Sequence, residues 1–145
     1  TLYWLGAVNE PNDGALEAFV ARQTGKQRLA FLGHREAFRV IEALKSWAVR
    51  EDVRWPAEAD LAALKPFHPE LDIARLDRHA VLEALATRLK RRRLIFASYV
   101  PLCQKALGLS LNHFSWTAIE LDACIRLLGK KLRGAVEQER QGAAS

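Results

Sequence analysis

The sequence predicts an all-α fold, a compact bundle of six or seven helices. Three observations predict it. No segment alternates apolar and polar residues with the period of a strand, whereas apolar residues recur at spacings of three and four in several segments. Five prolines and eight glycines are too few for a loop-rich all-β chain. Half of the 145 residues are hydrophobic and 27% are charged, the balance of a packed globular protein and not of a disordered one. There is no internal repeat and no low-complexity tract.

The elements follow in order. Leu2, Trp4, Leu5 and Val8 read as the last turns of a helix, which suggests a segment trimmed from a longer chain. Asn9 through Gly14 is a run of turn residues that stops it, and Asn12 or Asp13 is placed to cap the next helix. That helix carries Leu16, Phe19 and Val20 on one stripe and ends at Gly25, in the left-handed conformation glycine adopts without cost. A link through Leu29, Phe31 and Leu32 leads to the clearest helix of the chain. There Phe38, Ile41, Leu44 and Ala48 recur at helical spacing, Trp47 widens the apolar face, and charged residues fill the remainder. Ile41 and Leu44 are expected in the core. Residues 52–56 interrupt the pattern, and Pro56 suits the first turn of a short helix bearing Leu61 and Leu64.

Pro66-Phe67-His68-Pro69 breaks the chain again and marks a boundary between two lobes of a single unit, residues 1–65 and 70–136, with a fraying tail over 137–145. The second lobe reads as three helices. The first runs from Asp77 to Arg92 with Val81, Leu82, Leu85 and Leu89 inward. The second opens at Ser98 and ends at Gly108, with Leu102, Cys103 and Leu107 as its apolar side. The third is capped by Ser115 and carries Ile119, Ala123, Leu127 and Leu128 toward Leu132.

Composition also bounds function. No apolar run approaches the ~18–20 residues of a membrane span. The N-terminus has no basic region and no small-residue cleavage site, and two cysteines make no disulfide framework, so the expected compartment is the cytoplasm. Cys103 and Cys124 are expected as buried thiols between adjacent helices. His34, His68, His79 and His113 are scattered, with no ligand spacing, and neither a metal nor another cofactor is expected. A glycine-rich phosphate loop, a nucleophile elbow and a His-Glu-x-x-His motif are all missing, so the expectation is a non-enzyme with no catalytic residues. Trp4, Trp47, Trp55 and Trp116 are expected in the core or between lobes.

The formal net charge of +5 favours acidic partners, nucleic acid foremost. The strongest basic run is Arg88, Lys90, Arg91, Arg92 and Arg93, and Lys130, Lys131 and Arg133 form a second. Such runs suit phosphate contacts through counterion release, although cations also sit well at a helix C-terminus. Between them, residues 99–128 resemble a helix-turn-helix. Ala106-Leu107-Gly108 closes one helix, a turn follows, and a second helix starts near His113 or Ser115. Its leading residues Asn112, His113, Ser115, Trp116 and Thr117 would then face bases and phosphates. The set contains no Arg or Lys, the residue types that most often read guanine.

One stretch carries a family likeness. Residues 15–25, ending Arg22-Gln23-Thr24-Gly25, are followed by Val40-Ile41-Glu42-Ala43-Leu44-Lys45-Ser46-Trp47. With the opening Leu-Tyr-Trp-Leu-Gly-Ala-Val, these residues resemble the GemA family of Mu-like phages and prophages over residues 2–51. The resemblance implies a phage-encoded, non-enzymatic regulator of gene expression acting near DNA or the proteins that manage it. The expected partners are double-stranded DNA and a host protein of transcription or DNA topology. The competing expectation is an adaptor that captures a host factor and never touches DNA.

Overall fold

A computed structural model describes residues 1–9, 13–25 and 32–144. Among them every regular element is helical: α1 (Asp13–Thr24), α2 (His34–Arg50), α3 (Glu58–Leu64), α4 (Ile73–Arg91), α5 (Tyr99–Leu107) and α6 (Ala118–Ala144), with a 3-10 turn at His113–Ser115. No strand occurs among the described residues. The all-α expectation holds. No described helix is long and apolar enough to cross a membrane.

Helix ends follow local chemistry. Residues 1–6 make a helical turn that closes at Gly6 (φ +84°), where the amides of Gly6 and Ala7 bond back to the carbonyls of Tyr3 and Leu2. The same closure ends α2 at Asp52 (φ 70°) and α4 at Arg93 (φ 58°), two positions where the glycine that favours this conformation is replaced by a charged residue. Gly25 (φ +73°) and Gly108 (φ +65°) close α1 and α5 as expected. The expected cap at Asn12 or Asp13 and the link residues Leu29 and Phe31 lie outside the described residues or side chains. Asp72 caps α4 by accepting the Arg75 amide at 2.8 Å, so that helix starts at Ile73, ahead of the expected Asp77. Pro56 falls before the first residue of α3, and Asp60 takes the free amide of Ala57 at 2.7 Å.

The main core lies between α4 and α6. They run in the same direction, since Arg78 pairs with Asp122 toward their starts and Arg92 with Glu139 toward their ends. Leu82, Leu85, Leu89, Leu121 and Leu128 are fully buried there, each stabilising the fold by roughly 2–3 kcal/mol through loss of apolar surface. Tyr99 and Cys103 of α5 close one side, with Trp116 beneath the 3-10 turn. Leu5, Ala48 and Val53 join the same cluster, so apolar residues from both sides of Pro66–Pro69 share one core. A smaller cluster of Phe19, Val20 and Val40 holds α1 on α2, with Phe19 stacked on Trp47 at 5.7 Å.

Helix α2 turns a different face inward from the one expected. Val40 and Ala48 are buried and Leu44 is only partly covered, whereas Ile41 is 51% exposed and Phe38 64% exposed. The apolar residues of α2 span more than half its circumference, so spacing alone admits two faces. The partners on α1 select the one that holds Val40. In α6, Ile119 is exposed while Leu128 and Leu132 are buried, and the helix continues past Gly134 to Ala144.

Candidate nucleic-acid interface

Basic residues close the end of α4 and follow one face of α6. Lys90, Arg91, Arg92 and Arg93 close α4, where the negative end of the helix dipole favours cations. On α6, Arg126, Lys130, Arg133, Glu137 and Arg140 follow spacings of four, three, four and three, which place them on one face over roughly 21 Å. Arg126, Lys130 and Arg140 are exposed and have no carboxylate partner among the described residues. Lys90, Arg93 and Lys131 are likewise exposed and unpaired among them. Arg126 and Arg140 were missed at the sequence level because neither sits in a run of basic residues. Only the helical register of α6 unites them with Lys130 and Arg133.

Other predicted contacts are engaged within the fold. Arg88 bonds the Glu51 carboxylate at 2.6 Å, the Glu51 carbonyl at 3.0 Å and the Leu5 carbonyl at 3.2 Å. Arg133 bonds the Tyr3 carbonyl at 2.6 Å and lies 3.9 Å over the Tyr3 ring, a cation–π contact. These two side chains clamp the N-terminal segment to α4 and α6. Arg91 reaches Asp52 at 3.4 Å and Arg92 reaches Glu139 at 3.2 Å, both at the surface, where such pairs hold the side chains weakly.

The segment expected as a helix-turn-helix is built differently. After α5 the chain runs through residues 108–117 before α6 begins, a longer connection than the three to four residues of that motif. Helix α6 is capped by Thr117 and not by Ser115. The Thr117 hydroxyl accepts the Glu120 amide at 3.2 Å and Glu120 accepts the Thr117 amide at 2.9 Å, a reciprocal capping box. Asn112 accepts the Phe114 amide at 3.2 Å, and the Ser115 hydroxyl donates to the Asn112 carbonyl at 2.7 Å. Trp116 is buried and donates its ring N–H to the Ser110 carbonyl at 3.0 Å. Of the residues predicted to read bases, Asn112, Ser115 and Thr117 therefore shape the connection.

His113 belongs to a cluster that sequence spacing did not foretell. Its ring lies 5.5 Å from that of His79 and 4.2 Å from Phe114, and Phe114 also contacts His68. The buried His79 meets the Tyr99 hydroxyl at 2.7 Å through Nδ1, while its buried Nε2 has no hydrogen-bond partner of full geometry. Burial, reinforced by the neighbouring His113, pushes His79 down to about 4. Burial likewise lowers His113 and raises Tyr99. Cys103 and Cys124 are buried side by side, and the Cys103 thiol is held up by its hydrogen bond to Cys124 and by burial. No group of three His, Cys, Asp or Glu among the described residues is arranged to hold a metal.

The N-terminal third has its own signature geometry. Thr24 donates its hydroxyl to the Val20 carbonyl at 2.8 Å, Gly25 turns left-handed, and Phe19 stacks on Trp47 of the following helix. Residues 1–50 match the GemA family, described as the bacteriophage Mu GemA protein. No curated protein and no solved structure matches the chain. The GemA-like segment includes both α1 and α2, the Trp4–Leu5 contact with the main core, and the exposed apolar residues of α2. The basic stripe of α6 lies beyond it.

Proposed function

We propose that this chain is a phage-encoded regulatory protein that acts on duplex DNA through the basic face of α6 and the C-terminal end of α4. It works without catalysis, in the cytoplasm of a bacterial host. The observation that carries this reading is the unpaired stripe of Arg126, Lys130 and Arg140 along one face of α6. Exposed cations aligned along a rigid helix can meet successive phosphates without ordering a loop, and each contact releases counterions. With Asn112, Ser115 and Thr117 spent on the connection, the contact positions the protein on the backbone and does not read bases.

Duplex binding across a salt series tests it. Replacing Arg126, Lys130 and Arg140 by Ala should weaken binding to all sequences alike and flatten the log–log salt slope by up to ~3. No duplex binding by the folded protein at low salt would overturn the proposal. The second reading, a protein-binding adaptor, draws on Phe38, Ile41 and Val49, which form an exposed apolar stripe on α2 within the GemA-like segment. For an adaptor, the triple substitution would leave partner binding intact.

A further inference from the structure

Between the N-terminal segment and the ends of α4 and α6 lies a cavity of about 370 Å³. Trp4, Asn9, Arg88, Arg92, Arg133 and Arg140 line it, with Leu132 and Val136 behind them. Its volume falls within the usual range for small-molecule sites, and its walls combine apolar surface with a few convergent polar groups.

The guanidinium groups are not equivalent. Arg88 spends both terminal nitrogens on Glu51 and Leu5. Arg133 uses Nη1 on backbone carbonyls, and Nε and Nη2 make no hydrogen bond among the described residues. Arg92 uses only Nε, on Glu139, and Arg140 makes no hydrogen bond or ion pair among the described residues. Three guanidinium forks with unspent donors therefore border one cavity. Glu137, hydrogen-bonded to Gln141 at 3.3 Å, is the single carboxylate that lines it among the described residues.

We infer that this cavity binds a phosphate group, held by Arg92, Arg133 and Arg140 and carried by a ligand of mononucleotide size. Planar guanidinium groups match the oxygens of a phosphate in paired hydrogen bonds, a geometry that a lysine cannot supply. The apolar surface around Trp4, Leu132 and Val136 offers the non-phosphate part of the ligand a place to bury area. This site shares Arg140 with the proposed duplex face, but it adds Arg92, Arg133 and the apolar walls of the cavity, which the stripe of Arg126, Lys130 and Arg140 does not use.

Isothermal titration at low salt with inorganic pyrophosphate and with deoxyadenosine monophosphate tests the inference. Both should bind saturably, the nucleotide more tightly, and Arg140→Ala should weaken each at least ~tenfold by removing a charge-assisted hydrogen bond. Gly134 lines the cavity, and a Cβ there meets nothing within 4 Å. Gly134→Leu therefore narrows the cavity without altering charge, and should abolish nucleotide binding while leaving duplex affinity unchanged. A loss of duplex affinity in Gly134→Leu equal to its loss of nucleotide affinity would put a DNA phosphate in the cavity and overturn a free nucleotide as its ligand. No saturable binding of either probe, or equal binding by the wild type and Gly134→Leu with its helical spectrum intact, would overturn the inference.

Discussion

Burial beside Tyr99 and His113 keeps His79 uncharged in the fold, with its titration lowered to about 4 from an ordinary 6.5. The neutral ring is therefore the folded form, and the unfolded chain binds the proton more readily. Stability is complete above pH 6.5 and falls as the pH drops from 6.5 toward 4, by about 3 kcal/mol at most and about 2 kcal/mol by pH 5. His113, lowered by burial, contributes in the same direction, and Glu83 opposes it by favouring the charged ring. Urea midpoints at pH 7.5 and 5.0 measure the loss. His79→Gln keeps an acceptor for the Tyr99 hydroxyl and cannot take up the proton, so its midpoint should change less. An equal drop in that variant would assign the effect to other groups. None of this was legible from His68, His79 and His113 as letters, because the connection that brings them together is set by the packing of Phe114 and Trp116.

Two glycines on α6 make opposite predictions from the same residue type. A Cβ on Gly129 would lie 2.5 Å from a carbon of the Trp4 ring, so this glycine is the socket that lets the N-terminal turn dock on the helix. Gly129→Ala should lower stability, because overpacking of ~1–3 kcal/mol exceeds the ~1 kcal/mol gained in helix propensity, and should shift tryptophan emission as Trp4 is displaced. At Gly134 there is no such neighbour, and Gly134→Ala should raise stability by ~0.5–1 kcal/mol. Thermal melts of both variants check the pair, and a stabilised Gly129→Ala would refute the socket. Most elements were readable at this scale. The inward faces of α4, the Ser98 and Gly108 limits of α5 and the Gly25 stop all follow from periodicity and turn chemistry. The exposure of Ile41 and the start of α6 at Ala118 were not, since the first depends on which helix packs against α2 and the second on Thr117 outcompeting Ser115 as the cap.

The whole molecule is held together by contacts that ignore the break at Pro66–Pro69. Leu5, Ala48 and Val53 bury against α4 and α6, and Arg88 and Arg133 tie the first turn to the same two helices. A fragment of residues 1–56 therefore lacks the surface that covers its apolar side, and its small cluster of Phe19, Val20 and Val40 cannot offset the conformational entropy of folding. Its far-UV circular dichroism should show little helix, where the complete chain is helix-dominated. A cooperative melt of the fragment would show that the GemA-like segment folds alone. The basic face belongs to this scale as well. Its runs at residues 90–93 and 130–133 were visible as charge, but the convergence of Arg92 with Arg133 and Arg140 comes from the parallel pairing of α4 and α6, and periodicity carries no information about which helices pair.

The hydrogen bond from Arg133 to the Tyr3 carbonyl closes a loop of 130 residues. During synthesis at ~5–20 residues per second, the N-terminal turn leaves the ribosome roughly ten seconds before the helix that receives it. Throughout that interval Trp4 has no Gly129 socket and the Tyr3 carbonyl has no Arg133 clamp. The growing chain thus carries Tyr3 and Trp4 without their partners on α6, open to chaperones, until Gly129 and Arg133 are made.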